Sequence, residues 1–302
     1  PRGTPPPPHP PPHIPPTGTR PPALTFATSS NAATRTDLAS ATRPIAELGY
    51  AGAEILCDTP HWRVDRVDDL QIERIGELLR ESSLAVSNLN ANTANAYFDP
   101  LPPENVFEPS LSSRRDDWRE WRVDYSLAAL EIAHQLGAGC ISVTSGQPGS
   151  GGDPSRGLAL FVDSLGLICR KAEQLGVRVG IEYEPGLLVE RASEAAEVIE
   201  RVGSDNLGVN FDIGHSYLDG EAPEAAVGLL AGRIWNVHVE DIRGRKHFHR
   251  IPGEGDLPFA RYFEALAKSG YDGFLTVELY TYPDNPIEAG ARSLAYLRRF
   301  WD

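Results

Sequence analysis

Short apolar runs alternate with longer amphipathic stretches along most of the chain. The runs at residues 23–27, 53–56, 84–89, 140–144, 177–181, 207–211, 234–237 and 274–277 are rich in β-branched or aromatic side chains and bounded by turn formers. That is how short buried strands read. Between them, residues 36–48, 68–81, 116–136, 154–175, 192–202, 223–231 and 257–268 read as helices, and 286–300 adds a last one. Gly49, Gly137 and Gly176 stand where three of these helices must stop, the position at which a glycine closes a helix. Eight strands in strict alternation with eight helices predict an α/β protein of the closed (β/α)8 TIM-barrel type rather than an open sheet. In that fold the C-terminal ends of the strands form the active face.

Two stretches interrupt the rhythm. Residues 90–114 form a long loop containing Asn90, Asn92, Asn95, Tyr97, Phe98 and Phe107, which is read as a lid or pocket wall. Residues 145–152 are glycine-rich but match no phosphate-cradle spacing, so they are weak evidence for an anion site. Residues 1–22 are Pro-rich with two interspersed His and lack the apolar stretch of a signal peptide. They read as a polyproline II or disordered tail, leaving 23–302 as one barrel domain. A domain of about 250 residues is ordinary for such a barrel.

Four consecutive runs each end in a residue type that binds divalent metals: 177–181 in Glu182, 207–211 in Asp212, 234–237 in His238 and 274–277 in Glu278. A single acidic residue after a strand is as readily a helix cap or turn residue. Four in succession on parallel neighbours would meet at one rim. Two Glu, one Asp and one His suit one divalent cation, with Mn²⁺ the first choice and Mg²⁺, Co²⁺ or Zn²⁺ as alternatives, and suit a soft metal poorly. Glu184 shares the face of Glu182 if the strand continues, competes for the ligand position, and is read as a hydrogen-bonding group near the substrate. His215 follows Asp212 by about one turn, near enough to bind a substrate oxygen or shuttle a proton. In residues 246–256 the Gly253-Glu254-Gly255 turn allows close backbone approach, and His249 or Arg250 would reach the substrate from above the metal, whereas His247 reads as a solvated side chain.

Charge narrows the partners. With 42 acidic residues against 28 basic, the formal net charge is -14, a surface that repels phosphate backbones and argues against nucleic acid. The densest basic cluster, residues 243–250, lies in one loop. No run approaches the roughly 18 apolar residues of a membrane span. Three cysteines, Cys57, Cys140 and Cys169, show no paired spacing, which fits small buried thiols in a reduced, cytoplasmic protein. A homo-oligomer is left open.

At Ile181-Glu182, Phe211-Asp212-Ile213-Gly214-His215, Val237-His238-Val239-Glu240-Asp241, Pro252-Gly253-Glu254-Gly255-Asp256 and Val277-Glu278-Leu279 the sequence resembles the xylose isomerase-like TIM-barrel superfamily. The closer likeness is to its sugar phosphate isomerase/epimerase group, which includes ketose 3-epimerases, hydroxypyruvate isomerase and inosose dehydratase and is related to endonuclease IV. The matching pieces lie in the C-terminal half; the first four strands match only in rhythm. The resemblance implies that Glu182, Asp212, His238 and Glu278 hold one cation and that His215 contacts a small carbohydrate or polyol substrate. Endonuclease IV-like enzymes carry further histidines after earlier strands to hold more zinc. His247-Phe248-His249 resembles part of that trinuclear site, but strand three ends in Asn88-Leu89-Asn90 and strand four in Val143-Thr144-Ser145, so a mononuclear carbohydrate site is expected.

The expected chemistry starts from a ketose or polyol ketone held by the cation, which acidifies the carbon-bound proton and stabilises an enediolate. Glu182 and Glu278 serve as base and acid. Return of the proton to the opposite face is epimerisation, return to the neighbouring carbon is isomerisation, and loss of a β-hydroxyl is dehydration of an inosose-like substrate. An endonuclease IV-like phosphodiesterase and a non-catalytic barrel are the readings from other classes.

Overall fold

All eight apolar runs become strands, because each is short, branched and able to bury both faces. The computed structural model describes residues 25–300; the Pro-rich segment 1–22 and the first two residues of the run at 23–27 lie outside the described residues. The strands are β1 (Thr25–Ser29), β2 (Gly52–Leu56), β3 (Ala85–Asn90), β4 (Cys140–Val143), β5 (Arg178–Ile181), β6 (Leu207–Asp212), β7 (Ile234–Val239) and β8 (Phe274–Val277). Each pairs with the next in parallel, and β8 closes onto β1 through Thr25 opposite Phe274.

Around them run α1 (Leu38–Leu48), α2 (Asp69–Glu81), α3 (Asp116–Leu136), α4 (Pro154–Leu175), α5 (Ala192–Val202), α6 (Ile213–Leu218), α7 (Pro223–Leu229), α8 (Phe259–Lys268) and α9 (Pro286–Arg298). Their ends follow local chemistry. Asp68 and Gln71 form a reciprocal cap on α2, Asp153 caps α4 ahead of Pro154, and Gly137 and Gly176 end α3 and α4 at φ 69° and 67°. The helix expected over 257–268 starts two residues late. Leu257 precedes a proline, which disfavours helical backbone, and its N–H goes instead to Asp241 Oδ1 at 3.1 Å. The six-residue α6 was not expected from the sequence, since it is too short to show a periodicity of its own.

The strands alternate more than the apolar runs suggested. Val179, Ile181, Val209, Phe211, Val237, Val239, Leu275 and Val277 are fully buried beneath the helices. The residues between them form a polar network inside the barrel: Asn88 donates to Glu54 and Ser142, Asn236 donates to Asn210, and Thr276 Oγ1 donates to Asn236 Oδ1 at 2.9 Å. The apolar core therefore lies between barrel and helices, where Leu130 and Ala133 of α3 and Phe161, Leu165 and Ile168 of α4 are wholly excluded from water. Burying each large side chain there contributes about 1.5–3 kcal/mol. Register shifts occur between Ala53 and Glu54 against β3, and between Val209 and Asn210 against β7. Such irregularities re-aim side chains, and both stand beside polar residues of the barrel mouth.

Cys57, Cys140 and Cys169 are unpaired and buried. Burial pushes the Cys140 and Cys169 thiols up to about 12 and about 11, so they are inert, as small buried residues should be. Among the described residues no helix is long and apolar enough to cross a membrane.

Candidate metal centre and active site

Asp212 closes β6 and faces His238 of β7 in register; Glu182 and Glu278 are the first residues beyond β5 and β8. The structure brings all four together at the mouth of the barrel, each buried, with ligand-type atoms within 4.8 Å of one another. His238 Nδ1 lies 3.2 Å from Glu182 Oε2, 3.5 Å from Glu278 Oε2 and 3.9 Å from Asp212 Oδ2. Three carboxylates crowded around one buried imidazole repel one another unless positive charge lies between them. Asp212 Oδ2 is moreover buried with no hydrogen-bond partner in the protein. The orphaned oxygen and the set of three carboxylates with one imidazole fit a divalent cation.

The charge states of the metal-free centre reflect the same crowding. Burial pushes Glu278 up to about 8, against the pull of His238 and helped by the charges of Glu182, Glu54 and Asp212. Burial also opposes ionisation of Glu182, but the charge and hydrogen bond of His238 outweigh it and hold Glu182 below the ordinary carboxylate value. Asp212 is held at about 2: burial opposes this, and His215, His249, His238 and the His215 backbone N–H prevail. His238 is lifted well above an ordinary imidazole despite burial, by Glu182, Glu278 and Glu54.

Both glutamates are held by asparagines that the sequence does not single out as site residues. Asn92 Nδ2 donates to Glu182 Oε2 at 2.9 Å, and Asn210 donates to the same oxygen. Asn31 and Asn90 donate to Glu278 Oε1 at 2.9 and 3.1 Å. A signal was present, since Asn88, Asn90 and Asn92 recur at the two-residue period of a strand and so point one way. Glu54 was also missed: its Oε2 lies 2.7 Å from His238 Nε2. A carboxylate in the middle of the apolar run 53–56 was the clue. Glu240, fully buried with neither oxygen bonded, is pushed well above the ordinary value by burial and then by Asp212.

His215 lies on α6, whose first turn Asp212 caps by accepting the His215 N–H at 2.8 Å. Asp212 thus fills both roles, capping residue and candidate ligand. His215 Nδ1 meets the Tyr183 carbonyl at 3.1 Å and His249 Nδ1 meets the Glu278 carbonyl at 3.0 Å. A carbonyl only accepts, so both rings carry a proton on Nδ1. Burial holds His249 down at about 3, so its Nε2 presents a lone pair. Burial of His215 is outweighed by the charges of Asp212, Glu184 and Glu182, which lift it to about 9, so its Nε2 carries a proton as well. His247 departs from the solvated role expected of it: the residue is exposed, yet its Nε2 sits 3.1 Å from His215 Nε2 and 3.2 Å from His249 Nε2.

These residues line a cavity of about 470 Å³, with Glu184, Tyr280 and the wall formed by Asn95, Leu101, Pro102, Asn105 and Phe107 of the long loop. The size is that of a small-molecule site. Glu184 is half-buried there, 3.7 Å from His247 Nδ1, and burial pushes it up to about 7. Arg250 does not line the cavity. It pairs through its backbone with Asp241, and alternation in this extended segment turns its guanidinium over the Phe248 ring, 5.3 Å from the centroid. The Gly253-Glu254-Gly255 turn approaches Asp241 rather than a substrate: Asp241 Oδ2 accepts the N–H of both glycines at 2.8 Å.

Known proteins resemble the chain over most of its length. The sequence pattern of the family described as xylose isomerase-like TIM barrel matches residues 43–300. Fructoselysine 3-epimerase of Escherichia coli O157:H7 is 26% identical over 270 residues, covering 88% of this chain and 93% of that protein. Inosose dehydratase of Clostridium beijerinckii is 27% identical over 158 residues, 46% of this chain and 53% of that protein. Among solved structures, a D-tagatose 3-epimerase-like protein superposes with a TM-score of 0.76 at 25% identity, covering 92% of this chain and 98% of its own. With its closed eight-stranded barrel and a family match over more than four-fifths of its length, the chain belongs to the xylose isomerase-like TIM barrel family.

Proposed function

We propose that the protein is a divalent-cation-dependent isomerase or epimerase acting on a ketose or related polyol ketone, with Mn²⁺ the first choice of metal. The observation that carries this reading is the pair Glu182 and Glu278, two carboxyls from non-adjacent strands that reach the same His238 nitrogen. Glu182, Asp212, His238 and Glu278 are the residues that would hold the cation. When bound, it supplies a Lewis acid that makes a proton beside the substrate ketone acidic.

The chain's own residues do the rest. Glu182 and Glu278 act as base and acid, one removing the proton and the other returning it. Asn92 and Asn210 hold the first carboxyl and Asn31 and Asn90 the second, so each is oriented before substrate arrives. His215 Nε2–H donates to a substrate oxygen, the Nε2 lone pair of His249 accepts from a substrate hydroxyl, and Glu184 stands beside them in the cavity wall. The long loop shields the reacting carbon from water. The epimerase relatives support transfer to the opposite face. The likeness to inosose dehydratase keeps loss of a β-hydroxyl as a second reading.

The test is incubation in D₂O with and without Mn²⁺ over a panel of ketoses and inososes. Metal-dependent deuterium beside the ketone, with an epimer or isomer as product, is expected; a dehydrated product would favour the second reading. A metal-loaded protein that exchanges no carbon-bound proton in any of them would contradict both.

A further inference from the structure

Glu54 has no part in the proton transfer above, yet it is a fully buried carboxylate at the centre of the barrel mouth. We infer that Glu54 is a positioning residue of the metal centre: it holds the Nε2–H of His238 and so turns Nδ1 toward the cation. The inference rests on the metal site proposed above.

An imidazole offers two nitrogens, and a ring free to turn could present either. Here the choice is made by the surroundings. Nε2 of His238 lies 2.7 Å from Glu54 Oε2, while Nδ1 faces Glu182, Glu278 and Asp212. Glu54 is itself fixed. Asn88 Nδ2 donates to Oε2 at 2.8 Å and Asn90 Nδ2 to Oε1 at 3.2 Å. The register shift between Ala53 and Glu54 sets Glu54 opposite Asn88, with Ser87 as the extra residue of β3. Asn90 Nδ2 also donates to Glu278 Oε1 at 3.1 Å, so one amide joins the positioning carboxylate to a candidate proton donor. A carboxylate on the far nitrogen fixes the tautomer of a metal-binding histidine and raises its basicity. A buried carboxylate with no metal contact of its own has a physical role in that pairing.

Glu54→Gln preserves the shape but replaces one of two accepting oxygens with a donating NH₂, which must face one of the two asparagine donors. Calorimetric titration of the metal-free full chain with Mn²⁺ is expected to show affinity about 10–100-fold below wild type. The amide facing a donor is expected to lower the thermal midpoint of the metal-free variant, so the affinities are compared at a temperature where both proteins are folded. A merely structural role would leave the affinity there unchanged. Equal affinity in variant and wild type overturns the role of Glu54 alone. A wild-type protein that binds no Mn²⁺ overturns the metal centre and this inference with it. A second measurement needs no variant: ¹⁵N-histidine NMR of the Zn²⁺-loaded wild type is expected to show His238 protonated at Nε2 and metal-bound at Nδ1. Metal on Nε2 overturns the inference.

Discussion

Glu182 and Glu278 stand on strands that are not neighbours in the barrel, yet both bring a carboxylate oxygen to Nδ1 of His238, at 3.2 and 3.5 Å. Two acids aimed at one point from different directions form the geometry that lets a proton leave one side of a carbon and return elsewhere. Glu278→Gln, assayed at saturating Mn²⁺, is expected to lower turnover about 10²–10⁴-fold, the usual contribution of a positioned acid or base. The amide keeps an oxygen for Asn31 and Asn90, so the fold and its melting temperature should persist. Full activity in the deuterium exchange assay would remove Glu278 from the proton transfer.

Asp212 serves both the metal centre and a helix cap. Its Oδ1 caps α6 through the His215 N–H, whereas Oδ2 has no protein partner. Asn caps a helix as well as Asp does. Asp212→Asn therefore keeps the cap but loses the attraction of the histidines that, against burial, hold Asp212 at about 2, so the melting temperature of the metal-free protein should fall at neutral pH. Mn²⁺ binding should weaken beyond the roughly 10–100-fold cost of disturbing a ligand's supporting contacts. A calorimetric titration checks the affinity and a thermal scan the fold.

The four candidate ligands and the barrel were legible because a buried strand ending in Glu, Asp or His is a local pattern, and four such patterns in succession constrain one another. Glu54 is not singled out by the sequence, and Asn90 and Asn92 read there only as part of a long loop forming a lid or pocket wall. They act across 34 to 188 positions of sequence, and nothing near Glu54 announces that His238 will meet it. The opposite failure occurred at Arg250, where residue type suggested a substrate contact and strand alternation turned the side chain away. His247 shows a third case: a surface position in a basic loop whose ring tip nevertheless reaches two buried histidines.

Metal binding should release protons. In the metal-free centre Glu278 is held at about 8 and His238 well above an ordinary imidazole, so at pH 7 both carry protons where a ligand needs a lone pair. These protons compete with the cation. Mn²⁺ affinity should rise with pH through neutrality as the competing protons leave Glu278 and His238. Titrations in buffers of different ionisation enthalpy count the protons; an affinity flat from pH 6 to about 8 would contradict this charge assignment.

Gly214 tests the support beneath His215. A methyl group there would overlap Glu240 Oε1, and would press on Ile242 Cγ1 at 3.0 Å. Gly214→Ala should destabilise the protein by about 1–3 kcal/mol, as overpacking of a tight interior does, and lower turnover by moving His215. Denaturant unfolding measures the first effect. Unchanged stability would mean that α6 is free to shift.

The central claim is that one divalent cation is held by Glu182, Asp212, His238 and Glu278. Metal analysis of the full chain after loading with excess Mn²⁺ and gel filtration tests it most directly, compared with a variant in which Asp212 and His238 are both replaced by Ala. One Mn²⁺ per wild-type chain and none in the variant is the expected result; a wild-type chain that retains no cation, or a variant that retains it equally, would contradict the account.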